Sequence, residues 1–359
     1  MGGFDIVPQR LHNQSIDPAA ATTPGEVVKG LGAIQAQDYV GALWAIGLRM
    51  KASTEQTIEQ AISDRKIIRT WPMRGTLHFV APEDVRWMLT LLTPRIMARA
   101  ERRHKQLELD SATFARSEVL VTKALQGGKR LTRPEMMAVL EQGGISTSGQ
   151  RGYHILQWAG QSGLICFGPR QGKQETFVLL DEWLPEGGNS LNREEALAAL
   201  AHRYFAGHGP ATIQDFIWWS GLPATDARAS LEMVESQLAH QELGGQRYWI
   251  SSTSPTTKAA SPAAYLLPGF DEYLLGYKNR RAVLDPAHAR KVVPGGNGIF
   301  KPLLVIDGRV VGIWKRTLRK TKVLVRLEPF ESLSPAQLEV AASAAEPYGC
   351  FLGLPVDVG

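Results

Sequence analysis

Cysteine, long apolar segments and metal-binding patterns are scarce in this 359-residue chain. Its two cysteines, Cys166 and Cys350, each lie beside an aromatic residue in an apolar setting, so we expect two buried, reduced thiols and no disulfide. No run approaches the roughly 18 apolar residues of a membrane span, and residues 1–10 lack the apolar segment of a secretion signal. No Cys and His spacing indicates a metal site. We therefore expect a cytoplasmic protein with no membrane association and no metal.

Several common motifs of enzymes are missing as well. The chain has no GxSxG sequence and no zinc-deaminase signature, which argues against an α/β-hydrolase and a nucleobase deaminase. The segment GPRQGKQ at 168–174 lacks the spacing and the Ser or Thr of a phosphate-binding P-loop. The segment PGGNG at 294–298 precedes strand-like sequence, and we interpret it as a tight loop whose backbone can approach a ligand such as phosphate.

Positive charge is concentrated in one part of the sequence. The window 278–326 contains thirteen Lys or Arg residues and two acidic residues, although the whole chain carries a formal charge of only +5. A polyanion is the natural partner of such a segment, and nucleic acid is the obvious candidate. A solvated face without a partner is the alternative.

The apolar periodicity predicts a helical pattern that ends in a hairpin. Helices are expected over 24–34, 39–49 and 54–63, followed by strands at 67–71 and 76–80. Three short helices and a hairpin form the winged-helix plan. The stretch 82–110 is expected to be an inserted helical segment broken near Pro94.

The same plan recurs twice, with the second helix of each copy starting at a capping residue: Asp38, Thr132 or Thr212. A polar Ser/Thr/Pro linker at 251–262 and alternating strand patterns beyond it, joined by an Asp307-Gly308 turn, indicate a final β-domain. The predicted fold class is α+β, with three tandem winged-helix modules followed by a C-terminal β-domain. The predicted boundaries are 1–110 for the first module with its inserted helices, 111–187 for the second, 188–252 for the third and 253–359 for the β-domain.

Two long amides one residue apart are the strongest candidates for chemistry. Gln35, Ala36 and Gln37 precede Asp38, a good N-cap for the helix that begins at Tyr39. Residues i and i+2 share a face in extended or turn backbone but not in a helix, so both amides can converge on one target only outside a helix. The alternative is that both glutamines satisfy nearby backbone groups.

A family resemblance extends over nearly the whole chain. The sequence resembles the winged-helix DNA glycosylases of the AlkZ and YcaQ type. The similar stretches are LGAIQAQDYVGALWAIGLR, RTWPMRGTLHFV, GPRQGKQETFVLLDEW, HGPATIQDFIWWSGL, LLPGFDEYLLGYKNR, VVPGGNGIF and DGRVVGIWKR. The resemblance implies a basic DNA-binding channel and excision of N7-alkylated purines from double-stranded DNA, with interstrand crosslinks as a further candidate substrate. A Gln-x-Gln motif belongs to the AlkZ branch, whereas the YcaQ branch has Asp in the second place, so Gln35 and Gln37 become the expected catalytic residues.

The reaction suits a pair of amides. Alkylation at N7 makes guanine a cationic leaving group, so little acid catalysis is needed. Amide oxygens can hold the attacking water while oxocarbenium character develops at the sugar. Asp38 is the alternative base, although its capping role competes for the carboxylate. No lysine adjoins the motif to form a Schiff base, which favours a monofunctional enzyme without a cofactor, and we expect a monomer.

Contacts to DNA are expected from basic residues in three places. Arg69 and Arg74 flank the first hairpin, and His78 within it is expected to be a hydrogen-bonded structural residue. The other candidates are in the inserted helical segment and in the basic strands of the last domain: Arg102, Arg103, Lys315, Arg316, Arg319, Lys320 and Lys322. The tryptophans in apolar settings are expected in the core: Trp71, Trp87, Trp158, Trp218 and Trp219.

Two other classes of function remain open from the sequence. A non-enzymatic winged-helix regulator would bind undamaged DNA selectively and release no base. An interaction scaffold would not bind DNA, or would bind it without salt dependence.

Overall fold

The computed structural model describes residues 5–184, 191–255, 257, 262–296 and 298–359. It has a mixed α+β fold, as predicted. The chain forms two compact units: the first unit comprises residues 1–58 and 197–359, and the second unit comprises residues 59–196. The predicted division into four modules stays a prediction, and part of the predicted linker, residues 256 and 258–261, lies outside the described residues. No helix in the described part of the chain is long and apolar enough to cross a membrane.

Helices and strands alternate along both units, with short 3₁₀ turns between some of them. The helices are α1 (Ile6–Asn13), α2 (Pro24–Leu31), α3 (Tyr39–Gly47), α4 (Glu55–Ser63), α5 (Val85–Gln106), α6 (Ser111–Leu125), α7 (Arg133–Gln142), α8 (Arg151–Gln161), α9 (Leu180–Trp183), α10 (Arg193–His208), α11 (Ile213–Ser220), α12 (Ala224–Val234), α13 (Glu272–Leu275), α14 (Ala289–Val292), α15 (Pro335–Ser343) and α16 (Glu346–Leu352). The strands are β1 (Ile34–Gln35), β2 (Ile68–Met73), β3 (Thr76–Val80), β4 (Leu131–Thr132), β5 (Ile165–Gln171), β6 (Gln174–Leu179), β7 (Leu238–Leu243), β8 (Gln246–Ser251), β9 (Ala264–Leu267), β10 (Leu303–Ile306), β11 (Arg309–Leu318), β12 (Val323–Pro329) and β13 (Val356–Val358).

The first unit contains a sheet with the strand order β13-β12-β11-β10-β9. Its strands pair antiparallel except β12 and β13, which are parallel. The predicted turn between β10 and β11 is present, with φ of +47° at Asp307 and +74° at Gly308. Positive φ at both central residues matches the right-handed twist of a hairpin. A Cβ at Gly308 would lie 2.1 Å from Val7, so the turn requires glycine for space as well as for conformation.

The strands of the second unit follow the order β3-β2-β5-β6-β4. The hairpins β2–β3 and β5–β6 therefore belong to one sheet, joined where Arg69 pairs with Phe167. Trp71 is 1% exposed and lies in the core beneath this sheet. Gly160 lies in helix α8, and a Cβ at this position would be 2.3 Å from the Trp71 ring. Helix α8 can therefore approach the indole this closely only because residue 160 is glycine.

The predicted helix starts are confirmed where a side chain caps them. The Asp38 carboxylate accepts the N–H of Gly41, and Thr132 and Thr212 form capping boxes before α7 and α11. These interactions involve residues three apart in sequence, which explains why they can be predicted locally.

Four predictions from the sequence are wrong. The helix α5 continues through Pro94 instead of breaking there, in a segment where the Thr93 hydroxyl donates to the carbonyls of Leu89 and Gln161. The apolar pattern of the third copy also predicts a helix over 226–239, but α12 ends at Val234, and the chain continues through a short 3₁₀ turn into strand β7. Cys350 is exposed, unlike the buried Cys166. Trp218 is 44% exposed because it lies on the outer face of a helix whose buried face carries Trp219.

Candidate active site

The Gln-Ala-Gln segment lies on extended and bent backbone in the first unit. Gln35 ends the short strand β1, and Gln37 lies in a bend before α3, so no regular helix connects the two amides. Gln35 is 8% exposed and Ala36 is fully buried, whereas Gln37 is exposed. Because this backbone is not helical, both amide side chains can face the same bound molecule. Gln35 is the buried residue of the pair, and Gln37 is the exposed one.

Asp38 is occupied by its capping role. Its Oδ1 accepts the N–H of Gly41 at 3.2 Å, and its backbone is extended, as an N-cap requires. A Cβ at Gly41 would lie 2.5 Å from Asp38 Oδ2, so only glycine lets the carboxylate lie this close to the helix. This geometry weakens the alternative in which Asp38 serves as the base.

A buried carboxylate lies against the backbone of Gln35. The Gln35 N–H donates to Glu272 Oε1 at 3.3 Å. The Trp219 indole donates to Glu272 Oε2 at 3.0 Å, and His208 Nε2 lies 3.2 Å from the same oxygen. Glu272 is 1% exposed and His208 is fully buried. Trp219 and His208 lie at one oxygen of this carboxylate, so the other oxygen is a fixed acceptor for the backbone N–H of Gln35, which restricts the position of that residue.

The helix that carries Glu272 is itself fixed by a buried ion pair. Asp271 is the N-cap of α13 and accepts two hydrogen bonds from Arg49, at 2.8 and 2.9 Å. Both side chains are almost fully buried. Arg49 also donates to the carbonyl of Ala45 in α3, the helix that follows Gln37. The ion pair therefore links the start of α13 to the helix next to the Gln-Ala-Gln segment.

The sequence did not identify Glu272 or His208 as parts of this site. Glu272 is separated from Gln35 by 237 residues, and no local pattern reveals such a contact. The signal that was available is an acidic pair, Asp271 and Glu272, inside an otherwise apolar stretch, LLPGFDEYLL. Charged residues in apolar surroundings are rarely buried without a partner, so this pair was a candidate for a buried polar network.

The basic residues of β11 and β12 differ in their surroundings. Lys315 is exposed and paired with Glu328 at 2.8 Å, and Lys322 is paired with Asp357. Arg316 donates to the Tyr348 hydroxyl and is half-buried. The two other predicted residues, Arg319 and Lys320, form the exposed tip of the hairpin. Within the described part of the chain neither has an ion-pair partner, so both could contact a phosphate without first leaving a carboxylate.

In the second unit, Arg69 is buried and forms an ion pair within the protein. It is 3% exposed, pairs with Glu175 at 2.6 Å and lies over the Phe167 ring. The pKa of Glu175 is lowered: burial works to raise it, but Arg69 and a second cation, Arg133, outweigh that effect. A buried guanidinium paired in this way is poorly placed to meet a phosphate.

Arg74 and His78 form a pair at the turn of the first hairpin. Arg74 Nη2 lies 3.1 Å from His78 Nε2, and His78 Nδ1 lies 3.0 Å from the carbonyl of Thr76. The arrangement requires a neutral imidazole that donates from Nδ1 and accepts at Nε2. Burial, with the Arg74 charge beside it, lowers the pKa of His78 well below its ordinary value. The prediction that His78 is hydrogen-bonded is confirmed, and its structural role stays a prediction.

The remaining predicted cations, Arg102 and Arg103, are exposed near the end of α5. Arg103 donates to Gln106 and to Gln150. Among the residues that the structure describes, no group of three His, Cys, Asp or Glu side chains could hold a metal ion.

Comparisons with known proteins identify the class of the chain. A family model described as DNA glycosylase AlkZ-like matches residues 28–351. A similar protein from Streptomyces sahachiroi, named interstrand DNA cross-link repair glycosylase, is 28% identical over 324 residues, which is 85% of each chain. The solved structure of Streptomyces sahachiroi DNA glycosylase AlkZ has the same fold, with a TM-score of 0.76 and 24% identity over the full length of both chains.

The match to the family model assigns this mixed α+β chain to a class of DNA glycosylases. The family model spans nearly the whole sequence, including the Gln-Ala-Gln segment and both basic hairpin strands. The chain belongs to the AlkZ-like DNA glycosylase family.

Proposed function

We propose that this protein is a monofunctional glycosylase that hydrolyses the N-glycosidic bond of N7-alkylated purines in duplex DNA. The observation that carries the proposal is the pair Gln35 and Gln37 on non-helical backbone, with Gln35 held by the buried carboxylate of Glu272. Membership of a DNA glycosylase family supports the reaction type. The lesion class is the one that the resemblance to AlkZ-type glycosylases implies, and the chemistry of two neutral amides is compatible with it.

Gln35 and Gln37 would act by holding the attacking water. Amide oxygens accept its hydrogen bonds but are too weakly basic to remove its proton early, so the leaving group must already be activated. N7 alkylation provides that activation, because the departing purine carries a positive charge until the bond breaks. The sugar carbon, which gains positive charge as the neutral purine departs, is then attacked by a water already in place, and the protonated hydroxyl that forms loses its proton to solvent.

The nucleic-acid contacts in this proposal come from cations that are open to solvent. The exposed tip residues Arg319 and Lys320 are the first candidates in the first unit, and Arg102 with Arg103 are the first candidates in the second unit. Exposed cations fix a protein on the phosphate backbone without reading sequence. Other predicted cations already have a partner within the protein and would have to exchange it for a phosphate: Lys315, Arg316 and Lys322. Arg74 would have to give up its contact with His78. Arg69 is buried and paired, so it is not part of the proposal.

Interstrand crosslinks are a second substrate that we infer for the same site. The Streptomyces sahachiroi relative is named for the repair of such crosslinks. A crosslink attached through N7 carries the same cationic leaving group, so the same two amides would serve both reactions.

The deciding experiment measures release of 7-methylguanine from alkylated duplex DNA under single-turnover conditions. We expect Gln35→Ala and Gln37→Ala to lose about 100-fold or more in rate, the range for removing groups that position or stabilise a transition state. Asp38→Asn, which keeps the helix cap, is the matched control and should retain most of the activity. Undiminished release by both glutamine variants would refute the site.

Two further measurements test the mechanism. Borohydride should trap no covalent complex with DNA, because a monofunctional enzyme forms no Schiff base. Chelation with EDTA should leave the rate unchanged. Selective binding of an undamaged sequence without any base release would instead support a non-enzymatic regulator.

A further inference from the structure

A basic cavity of about 870 Å³ lies in the first unit, outside the Gln-Ala-Gln segment. Four cations line it: Lys278, Arg280, Arg281 and Arg290. No Asp or Glu is among the described residues of its wall. Two neighbouring acids are engaged in hydrogen bonds: Asp285, between the lining residues Leu284 and Pro286, accepts the N–H of Ala287, and Asp215 Oδ1 accepts the backbone N–H groups of residues 278 and 279. The chemistry of the wall therefore favours an anion, and the volume suits a ligand of the size of a nucleotide.

Arg280 presents a buried donor that has no partner among the described residues. Its Nε donates to the carbonyl of Leu274 at 2.9 Å, and its guanidinium lies 4.9 Å from the Phe300 ring and 5.5 Å from the Trp218 ring. Its Nη2 is buried and has no hydrogen-bond acceptor among the described residues. A buried donor without an acceptor is costly, and a ligand oxygen in the cavity would satisfy it.

Three glycines lie along one side of the cavity. Gly295, Gly296 and Gly298 line it or border it with φ of +74°, +64° and +77°. An added Cβ at any of the three would meet no atom within 4 Å, so the space beside the loop is open. Glycines in this conformation let a phosphate approach main-chain N–H groups without a side chain between them.

An exposed indole completes the cavity. Trp218 is 44% exposed, and its Nε1 donates to the carbonyl of Leu275 at 3.2 Å, which fixes the ring. The next residue, Trp219, points into the core and donates to Glu272, the carboxylate that holds Gln35. Helix α11 therefore offers one indole to the cavity and the other to the candidate active site. Indole faces stack on nucleobases whatever their identity.

We propose that this cavity binds one nucleotide unit of a DNA strand, with its phosphate on the cations and the glycine loop and its base against Trp218. The proposal rests on the proposed function in one respect, which is that DNA supplies the nucleotide. A free nucleotide offers the same phosphate and base, so the test must separate the two sources.

The test measures binding of a short single-stranded oligothymidylate to the full chain by fluorescence anisotropy across about 50–200 mM salt. The test variant is Lys278→Ala/Arg281→Ala, which removes two exposed cations of the wall. The matched control is Arg228→Ala/Arg309→Ala, which removes two exposed cations of the same unit outside the cavity. Undamaged DNA is used, so the result does not depend on whether Gln35 and Gln37 catalyse base release.

We expect the test variant to bind about tenfold more weakly or worse at 0.1 M salt. Its slope of log K against log salt should flatten by about 0.7 to 1.4, since each phosphate contact on a single strand contributes about 0.7 to that slope. The control should keep the wild-type slope. Trp218→Phe should lose most of the tryptophan quenching that accompanies binding.

Two outcomes would overturn the proposal. A test variant with the affinity and slope of its control would mean that the cavity does not hold a phosphate of DNA. Wild-type protein that binds thymidine monophosphate as tightly as the oligonucleotide would assign the cavity to a free nucleotide.

Discussion

Replacement of Glu272 by Gln tests whether the buried carboxylate positions Gln35. Glu272 Oε1 accepts from the Gln35 N–H, while Oε2 accepts from the Trp219 indole and lies beside His208 Nε2. An amide has only one acceptor oxygen. Whichever way the new side chain is turned, its NH₂ group faces an N–H, at Gln35 in one orientation and at Trp219 in the other.

The expected loss follows from that mismatch. One buried donor is left without an acceptor, which costs about 1–3 kcal/mol of folding free energy. The rate should fall further than stability alone explains, because a displaced Gln35 no longer places its amide against the water. A displacement of about 1 Å can reduce a rate by about 100-fold. We therefore expect the single-turnover release of 7-methylguanine to fall about 10- to 100-fold.

The control for this experiment is Leu303→Ala, in the core of the same unit. Leu303 is 1% exposed, and its truncation should cost about 2–5 kcal/mol without touching Gln35. We expect Leu303→Ala to keep the wild-type rate wherever the protein remains folded. A Glu272→Gln variant that is destabilised but equally fast would refute the positioning role.

A double-variant comparison separates positioning from any other effect of Glu272. If Glu272 acts through the Gln35 side chain, adding Glu272→Gln to Gln35→Ala should lower the rate no further. An additive loss would mean that the carboxylate acts on the reaction independently of Gln35.

Three other perturbations have expected outcomes. Asp271→Asn should cost about 3–5 kcal/mol in a urea titration, because it leaves the buried Arg49 guanidinium partly unpaired. The pKa of His78 is well below its ordinary value in the folded protein, whereas an unfolded histidine has a pKa of about 6.5. The free energy of unfolding should therefore fall as pH drops below about 6.5, by up to about 1.4 kcal/mol per pH unit. His78→Gln should remove this part of the pH dependence. Arg319→Ala/Lys320→Ala should weaken binding of duplex DNA and flatten its salt slope by one to two, while the melting temperature stays unchanged; an unchanged slope would exclude the hairpin tip from the DNA contact.

Interactions between sequence neighbours were predictable from the sequence. Asp38 caps α3 because its carboxylate reaches the third residue of the helix, and that spacing is visible in one short segment. The turn at Asp307 and Gly308 was predictable for the same reason. The Gln-Ala-Gln segment also follows from local signals, since a capping residue immediately after it excludes regular helix there.

Interactions between distant segments were not predictable. Both Trp218 and Trp219 occur in apolar sequence, and only the packing of α11 buries one and exposes the other. Arg69 has the same local character as Arg74, yet its partner Glu175 is contributed by a strand more than 100 residues later. Charge and apolar character identify such residues as notable, but the fold decides whether each one faces solvent or the core.

The buried carboxylate also changes how the selectivity of the proposed site is explained. From the sequence, the site consisted of two neutral amides, and its preference for charged lesions rested on their weakness as bases. In the structure, Glu272 accepts the backbone N–H of one of these amides. An additive loss in the double-variant comparison would mean that the charge of Glu272 itself acts on the reaction, and a negative charge attracts a cationic purine more strongly than an uncharged base. In that case, selectivity for N7-alkylated purines would arise from attraction of the charged lesion as well as from the lack of an acid, and Glu272→Gln should weaken binding of charged lesions more than binding of uncharged ones.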